Sequence, residues 1–196
     1  AGIRARIQPP VFAERDFNVL DFGAVADGMT MNTGAFKGAI TACTAAGGGR
    51  VRVPAGRYLT GPIHLQSNVD LHVMEDAELL FSQNPADYLP LVQTWFEGVE
   101  LMNYSPFIYA FGAENVAVTG RGILNGQADF DVWWSWRGPR SWKGARSGTN
   151  TGWQEGMPYQ KTSRTRLMEM AADGVPVEKR RFGEGHYIRS AMLEFN

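Results

Sequence analysis

The sequence predicts an all-β solenoid behind an N-terminal capping helix, on three observations. Strand-length apolar alternations recur between residues 47 and 73, turn residues separate them, and one amphipathic helical pattern precedes them. Val51 and Val53, Tyr58 and Thr60, Ile63 and Leu65, then Val69, Leu71 and Val73 each place alternate side chains on one face of a short strand. Pro54-Ala55-Gly56, Gly61-Pro62 and Ser67-Asn68 punctuate them. Strands this short do not sustain an isolated sheet. They suit a chain wound into coils, each covering the apolar face of its neighbour.

The elements follow in order. Phe17 to Phe22 reads as a short strand, and Ala26-Asp27-Gly28 as a turn. Thr30 to Asn32 offer helix N-cap chemistry. From Thr33 the apolar positions Phe36, Ala39, Ile40 and Cys43 fall at helical spacing, and Gly47-Gly48-Gly49 ends the helix. Such a helix covers the open end of the first coil, and Cys43 on its buried face reads as a small core residue. Strands resume at Phe107–Ala110, Val116–Thr119 and Gly122–Leu124 after a polar and aromatic excursion over residues 82 to 105. Asn68 and Asn115 share the form Asn-Val-x-apolar. Such an asparagine suits a coil corner, where it tolerates a left-handed backbone and its amide reaches the next coil.

From residue 126 the pattern breaks. A Trp/Gly/Arg-rich loop leads to a helical stretch around Arg164 to Ala172, with Leu167, Met168 and Ala171 as its apolar face, and alternation returns from Gly185 to Phe195. The expected organisation is an N-terminal arm (1–15), the cap helix and first coils (16–130), a Trp/Arg-rich insertion (131–185) and the start of a further coil (186–196). The alternation stops as that coil begins, so the chain is expected to be truncated relative to its domain. A structureless segment as long as the insertion is unusual, which points to an ordered functional element.

Composition narrows the function. A single cysteine permits no intrachain disulfide, no run approaches the roughly 18 apolar residues of a membrane span, and residues 1–12 lack the apolar middle of a signal peptide. The net charge of −1 hides an asymmetry: residues 1–131 hold 8 Arg/Lys against 14 Asp/Glu, and residues 132–189 hold 11 against 5. The basic segment also carries Trp133, Trp134, Trp136, Trp142 and Trp153. Cations interleaved with flat rings serve an anionic ligand, either nucleic acid or an acidic polysaccharide, although the two halves could also simply attract each other.

No nucleophile elbow, phosphate loop or dinucleotide fingerprint is present. His64 and His72 lie in alternating strands without metal-ligand spacing, whereas His186, beside Arg189, is the better candidate for function. The carboxylates Glu75, Asp76 and Glu78 fall at a turn between strands, and Asp129 with Asp131 opens the insertion. Neither set has the pattern of a catalytic pair.

Phe17 to Ala24 with Asp27-Gly28, then Gly47-Gly48-Gly49-Arg50-Val51-x-Val53-Pro54-x-Gly56, then Leu59-Thr60-Gly61-Pro62-Ile63-x-Leu65-x-Ser67-Asn68, resembles the N-terminal region of polygalacturonases of glycoside hydrolase family 28. Tyr104-Ser105-Pro106-x-Ile108-Tyr109, Gly120-x-Gly122-x-Leu124-x-Gly126 and Gly185-His186-Tyr187-Ile188-Arg189 fit the bacterial exo-acting type in the same order.

The resemblance implies a right-handed parallel β-helix that hydrolyses polygalacturonate or oligogalacturonides with inversion, in a periplasmic or secreted setting. It implies no cofactor, no metal, no nucleic acid and no membrane partner. Family members carry the catalytic groups in an Asn-Thr-Asp segment, an Asp-Asp pair, a Gly-His-Gly and an Arg-x-Lys. Asn32-Thr33-Gly34, Asn150-Thr151-Gly152 and Gly185-His186-Tyr187 are none of these, so no catalytic residue is expected in this chain. The expected substrate contacts are Trp134, Trp136, Arg137, His186 and Arg189. The rival readings are a noncatalytic carbohydrate-binding or structural β-helix, and a calcium-dependent lyase, which the lack of an Asp-rich cation cluster disfavours.

Overall fold

The computed structural model describes residues 2–3, 6, 9–139 and 152–196; Trp142 and Asn150-Thr151 lie outside the described residues. In chain order the elements are β1 (Asp16–Asn18), β2 (Asp27–Met31), α1 (Thr33–Ala45), β3 (Gly49–Val53), β4 (Gly56–Thr60), β5 (Ile63–His64), β6 (Val69–Val73) and β7 (Ala77–Phe81). There follow β8 (Val92–Phe96), β9 (Val99–Asn103), β10 (Ile108–Ala110), β11 (Ala117–Gly120), β12 (Ile123–Asn125), α2 (Lys161–Ala172), β13 (Arg181–Phe182) and β14 (Leu193–Phe195). Contacts among the described residues divide the chain into two units. One draws on Ala1–Leu80, Ile108–Asn125 and Phe195–Asn196, the other on Phe81–Phe107 and Gly126–Glu194.

Unit 1 is the solenoid. Its strands pair in parallel with strands one coil away, in the orders β1-β3-β6-β11 and β12-β7-β4-β2. Phe17 pairs with Val51, Val51 with Leu71, and Leu71 with Val118, so one apolar rung continues from coil to coil. Every alternating position named in the sequence between Val51 and Val73 is buried. Removing each large apolar side chain of this set from water contributes about 1.5–3 kcal/mol.

Helix α1 covers this stack through Phe36, Ala39, Ile40 and Cys43, all buried. Its N-terminus differs from expectation. Asn32 makes no side-chain cap bond; its amide is buried, accepting from the Val25 backbone N–H at 2.7 Å and donating to the Thr30 carbonyl at 2.7 Å. The backbone carbonyls of Val25, Thr30 and, in β4, Leu59 compete successfully for the amide. Asp27 and Gly28, expected in a turn with Ala26, instead open strand β2, because β4 offers residues 27–31 a parallel edge.

Unit 2 begins with the excursion, which is more ordered than its composition suggests. Strands β8 and β9 form an antiparallel hairpin whose turn, Glu97-Gly98, has φ of 49° and 85°. Two successive positive φ values match the twist of a two-residue hairpin turn. Strand β9 pairs on its other edge with β13 in parallel. Helix α2 packs Leu167 into a cluster with Leu101, Phe182 and Ile188, each at most 1% exposed. This shared core is why residues 81–107 group with the later segment rather than with the solenoid strands around them in sequence. Glu184 to His186 form a turn and residues 187–189 are irregular, with Tyr187 at φ 58°, where a strand was expected; among the described residues no strand pairs with them.

Candidate functional site

Unit 2 is organised around aromatic rings. Asp129 folds the start of the post-solenoid segment by accepting the backbone N–H groups of Asp131 at 2.9 Å and Val132 at 2.8 Å. Gln83 Nε2 donates to the other carboxylate oxygen at 2.8 Å. These bonds, that to Val132 first and the one from Gln83 next, hold the Asp129 carboxyl below its usual range. The turn delivers Trp133, at φ 66°, into a nest where its ring lies 5.6 Å from Tyr88, 5.7 Å from Phe107 and 4.8 Å from Trp136. A bulky residue holds that backbone conformation only where packing compensates it. The Gln160 N–H then donates to the Trp136 carbonyl at 2.9 Å, tying the start of α2 to the same nest.

Two cavities border these rings. The larger, of about 470 Å³, is lined by Trp95, Trp134, Arg189 and Ser190 among others. Trp95 is 47% and Trp134 45% exposed, so each presents an open face. Arg189 Nε donates to Gln160 Oε1 at 3.3 Å, and among the described residues Arg189 makes no ion pair. Burial first, and then the charge of Arg137, make its protonated form harder to hold, with Glu97 opposing them. Glu97 is in turn engaged by Arg164 Nε at 2.6 Å. The wall thus sets the Arg189 guanidinium beside two flat faces, with the other charged lining residue, Glu97, engaged by Arg164, an arrangement suited to a pyranose ring carrying a carboxylate. Glu194 stiffens it by accepting the Trp95 backbone N–H at 3.0 Å and the Thr94 hydroxyl.

The second cavity, of about 300 Å³, is lined by Tyr104, Trp136, Glu184, Tyr187, Pro85 and Leu89 among others. Tyr104 is buried, and that burial, reinforced by Glu184 and Tyr187, raises its hydroxyl above the ordinary tyrosine range.

The five residues expected from sequence therefore fall in different places. Trp134 and Arg189 share the larger cavity, and Arg137 lies close enough to act on Arg189 electrostatically. Trp136 is 9% exposed and lines the smaller cavity. His186 is not among the lining residues of either. Its Nδ1 lies 3.1 Å from Ser163 Oγ and its ring 5.1 Å from Phe182, while burial, then Arg166, keep it below the ordinary histidine range. Sequence reasoning missed Trp95, Tyr104, Glu184 and Tyr187. Trp95 carried a usable signal, because the alternation Val92, Thr94, Phe96 puts it on the opposite face of a strand. Among the described residues no group of three or more His, Cys, Asp or Glu could hold a metal ion.

Residues 17–72 match the family model described as rhamnogalacturonase A/epimerase, pectate lyase-like. The chain is 34% identical over 117 residues to the exo-poly-α-D-galacturonosidase of Dickeya chrysanthemi, covering 56% of this chain and 19% of that protein. Among solved structures, a hyperthermoactive exopolygalacturonase from Thermotoga maritima superposes with a TM-score of 0.90 at 47% identity, over 98% of this chain and 41% of that one. The family 28 exopolygalacturonase of Yersinia enterocolitica gives 0.51 at 35% identity, over 58% and 21% of the two chains. The chain spans less than half the length of each of these relatives. With parallel coils in its own strand pairing and these likenesses beside it, the chain is a right-handed parallel β-helix that resembles the N-terminal region of the exo-acting bacterial polygalacturonases of glycoside hydrolase family 28.

Proposed function

We propose that this chain is the N-terminal, substrate-holding part of a polygalacturonase-type glycoside hydrolase that cleaves polygalacturonate or oligogalacturonides by inverting hydrolysis, in a periplasmic or secreted setting. The observation that carries the reading is the Arg189 guanidinium, part-buried beside the exposed faces of Trp95 and Trp134 and free of any ion pair among the described residues. A uronate carboxylate pairs with this guanidinium, and the rings supply stacking surface. Of the five residues expected to bind substrate, Arg189 and Trp134 contact the sugar and Arg137 raises the local positive potential, while Trp136 and His186 brace the surrounding wall.

Inverting hydrolysis needs a protonated acid and a carboxylate base about 6.5–9.5 Å apart. The acid must hold its proton near neutral pH, which requires a raised pKa. Asp27, Glu78 and Asp129 all lie below their ordinary range, because each carboxylate is fixed by hydrogen bonds inside the fold. They serve structure, and in this reading the acid and base come from outside this sequence. Incubating the chain with polygalacturonate should then release no reducing ends. Turnover comparable to a full-length relative would overturn that assignment, and an unsaturated product would indicate a lyase. Titration with a galacturonide trimer should show binding that Arg189→Ala weakens and that salt suppresses in the wild type. Unchanged affinity in the variant would remove the site.

A further inference from the structure

The two cavities of unit 2 differ in the charges of their walls. The larger is lined by Arg189 and by Glu97, whose carboxylate is paired with Arg164 at 2.6 Å, and Arg137 adds positive charge near Arg189. In the smaller, the charged lining residue is Glu184, whose carboxylate is exposed, and the remaining wall is largely aromatic and apolar. Tyr187 meets Trp136 edge to face at 5.3 Å, and Tyr104 lies 6.1 Å from the same indole. Burial keeps the Tyr104 phenol protonated, and therefore a donor, at neutral pH. Trp133 of the larger cavity and Trp136 of the smaller have ring centroids 4.8 Å apart, so the two cavities back onto one pair of indoles.

We infer that the smaller cavity is a second sugar subsite that takes an uncharged pyranose, an esterified uronate or a neutral sugar, and that Glu184 excludes the free uronate from it. The inference rests on the galacturonide reading of the larger cavity. A volume of about 300 Å³ holds one pyranose ring. The rings of Tyr187 and Trp136 offer apolar contact that needs no charge, and Tyr104 offers a hydrogen bond to a sugar oxygen. A free carboxylate entering here meets the like charge of Glu184, with no cation among the described lining residues to compensate it. Esterification removes that charge and adds a methyl group for Pro85 and Leu89 to cover. The pair of cavities therefore reads the charge state of a sugar acid twice, with opposite preference.

The experiment titrates galacturonic acid and its methyl ester separately against the full chain at neutral pH, with wild type, Arg189→Ala, Glu184→Gln and the double variant. In the wild type the acid binds through Arg189, and the ester is indifferent to Arg189→Ala. In the Arg189→Ala background the acid is lost, and adding Glu184→Gln restores it, narrowing the ester-to-acid preference by about tenfold. Tyr187→Ala weakens the ester alone. Ester binding that follows Arg189, or a preference unmoved by Glu184→Gln, overturns the inference. So does tighter, Glu184-dependent binding of lysine methyl ester, which would make this a cation site. If neither sugar binds the wild type, the galacturonide reading falls with it. If the acid binds through Arg189 while the ester ignores Glu184 and Tyr187, only the second subsite falls.

Discussion

Asn115 donates its side-chain amide to Asn68 Oδ1 at 3.1 Å, and both residues hold a left-handed backbone, with φ of 55° and 66°. They stand at the same corner of successive coils, each just ahead of a strand in the sheet that pairs β6 with β11. The corner needs two properties at once, tolerance of positive φ and an amide that can bond along the solenoid axis. Asparagine supplies both.

Replacing Asn115 with alanine removes this bond and that from Nδ2 to the Val11 carbonyl at 2.9 Å, and leaves a Cβ in a left-handed backbone. We expect a loss of about 1–2 kcal/mol in urea unfolding. Asn115→Gly relieves the backbone part and should cost less. An alanine variant as stable as the wild type would show that the amide stack contributes nothing.

Asp27 should make the protein sensitive to acid. The backbone N–H groups of Thr30 and Met29 and the Thr30 hydroxyl hold its carboxyl at about 2. The folded value lies below the unfolded one, near ~3.9, so the stabilisation is complete above that unfolded value. It disappears as pH falls through about 2. Asp27→Asn should flatten the pH dependence of the urea midpoint across this window and leave its slope near neutrality unchanged. An identical acid profile in both proteins would contradict the assignment.

Trp134 and Trp136 should separate binding from stability. Trp136, 9% exposed, packs against Trp133, Tyr104 and Tyr187, so Trp136→Ala should cost about 3–5 kcal/mol of stability. Trp134, 45% exposed, should give an alanine variant with nearly wild-type melting but weaker galacturonide binding. Thermal melts run beside sugar titrations decide the matter, and the reverse outcome would exchange the roles of the two indoles.

Gly120 closes β11 at φ 99°, where an added Cβ would fall 1.9 Å from the Val73 carbonyl oxygen. Gly120→Ala must therefore displace a backbone inside the parallel ladder. A loss of at least about 2 kcal/mol is expected, or an insoluble product. An alanine variant with an unchanged melting temperature would mean that the coil has slack at this corner.

The solenoid was legible because its rules are local. The period-two burial of Val51 through Val73, the helical spacing of Phe36 to Cys43 and the corner asparagines can each be read within a dozen residues. The hairpin of β8 and β9 was also written locally, in Val92-x-Thr94-x-Phe96 and Val99-x-Leu101 around Glu97-Gly98, but Pro85, Pro90 and the polar run before them masked it. The site was less legible, since its walls join residues distant in sequence, such as Trp95, Trp134 and Arg189. Charge and tryptophan content pointed to a segment that supplies Trp134 and Arg189 to the larger cavity. They could not tell Trp134, which faces a cavity, from Trp136, which fills the core, because adjacent indoles in an irregular turn carry no periodicity.

The excursion that carries the hairpin leaves and re-enters at two stacked rings, Phe81 and Phe107, whose centroids lie 5.0 Å apart. A segment pinned at both ends in this way can lengthen or shorten at a cost that grows only with the logarithm of its length. Excursions of other lengths can therefore stand between Phe81 and Phe107 without any change to the stacked rungs of unit 1.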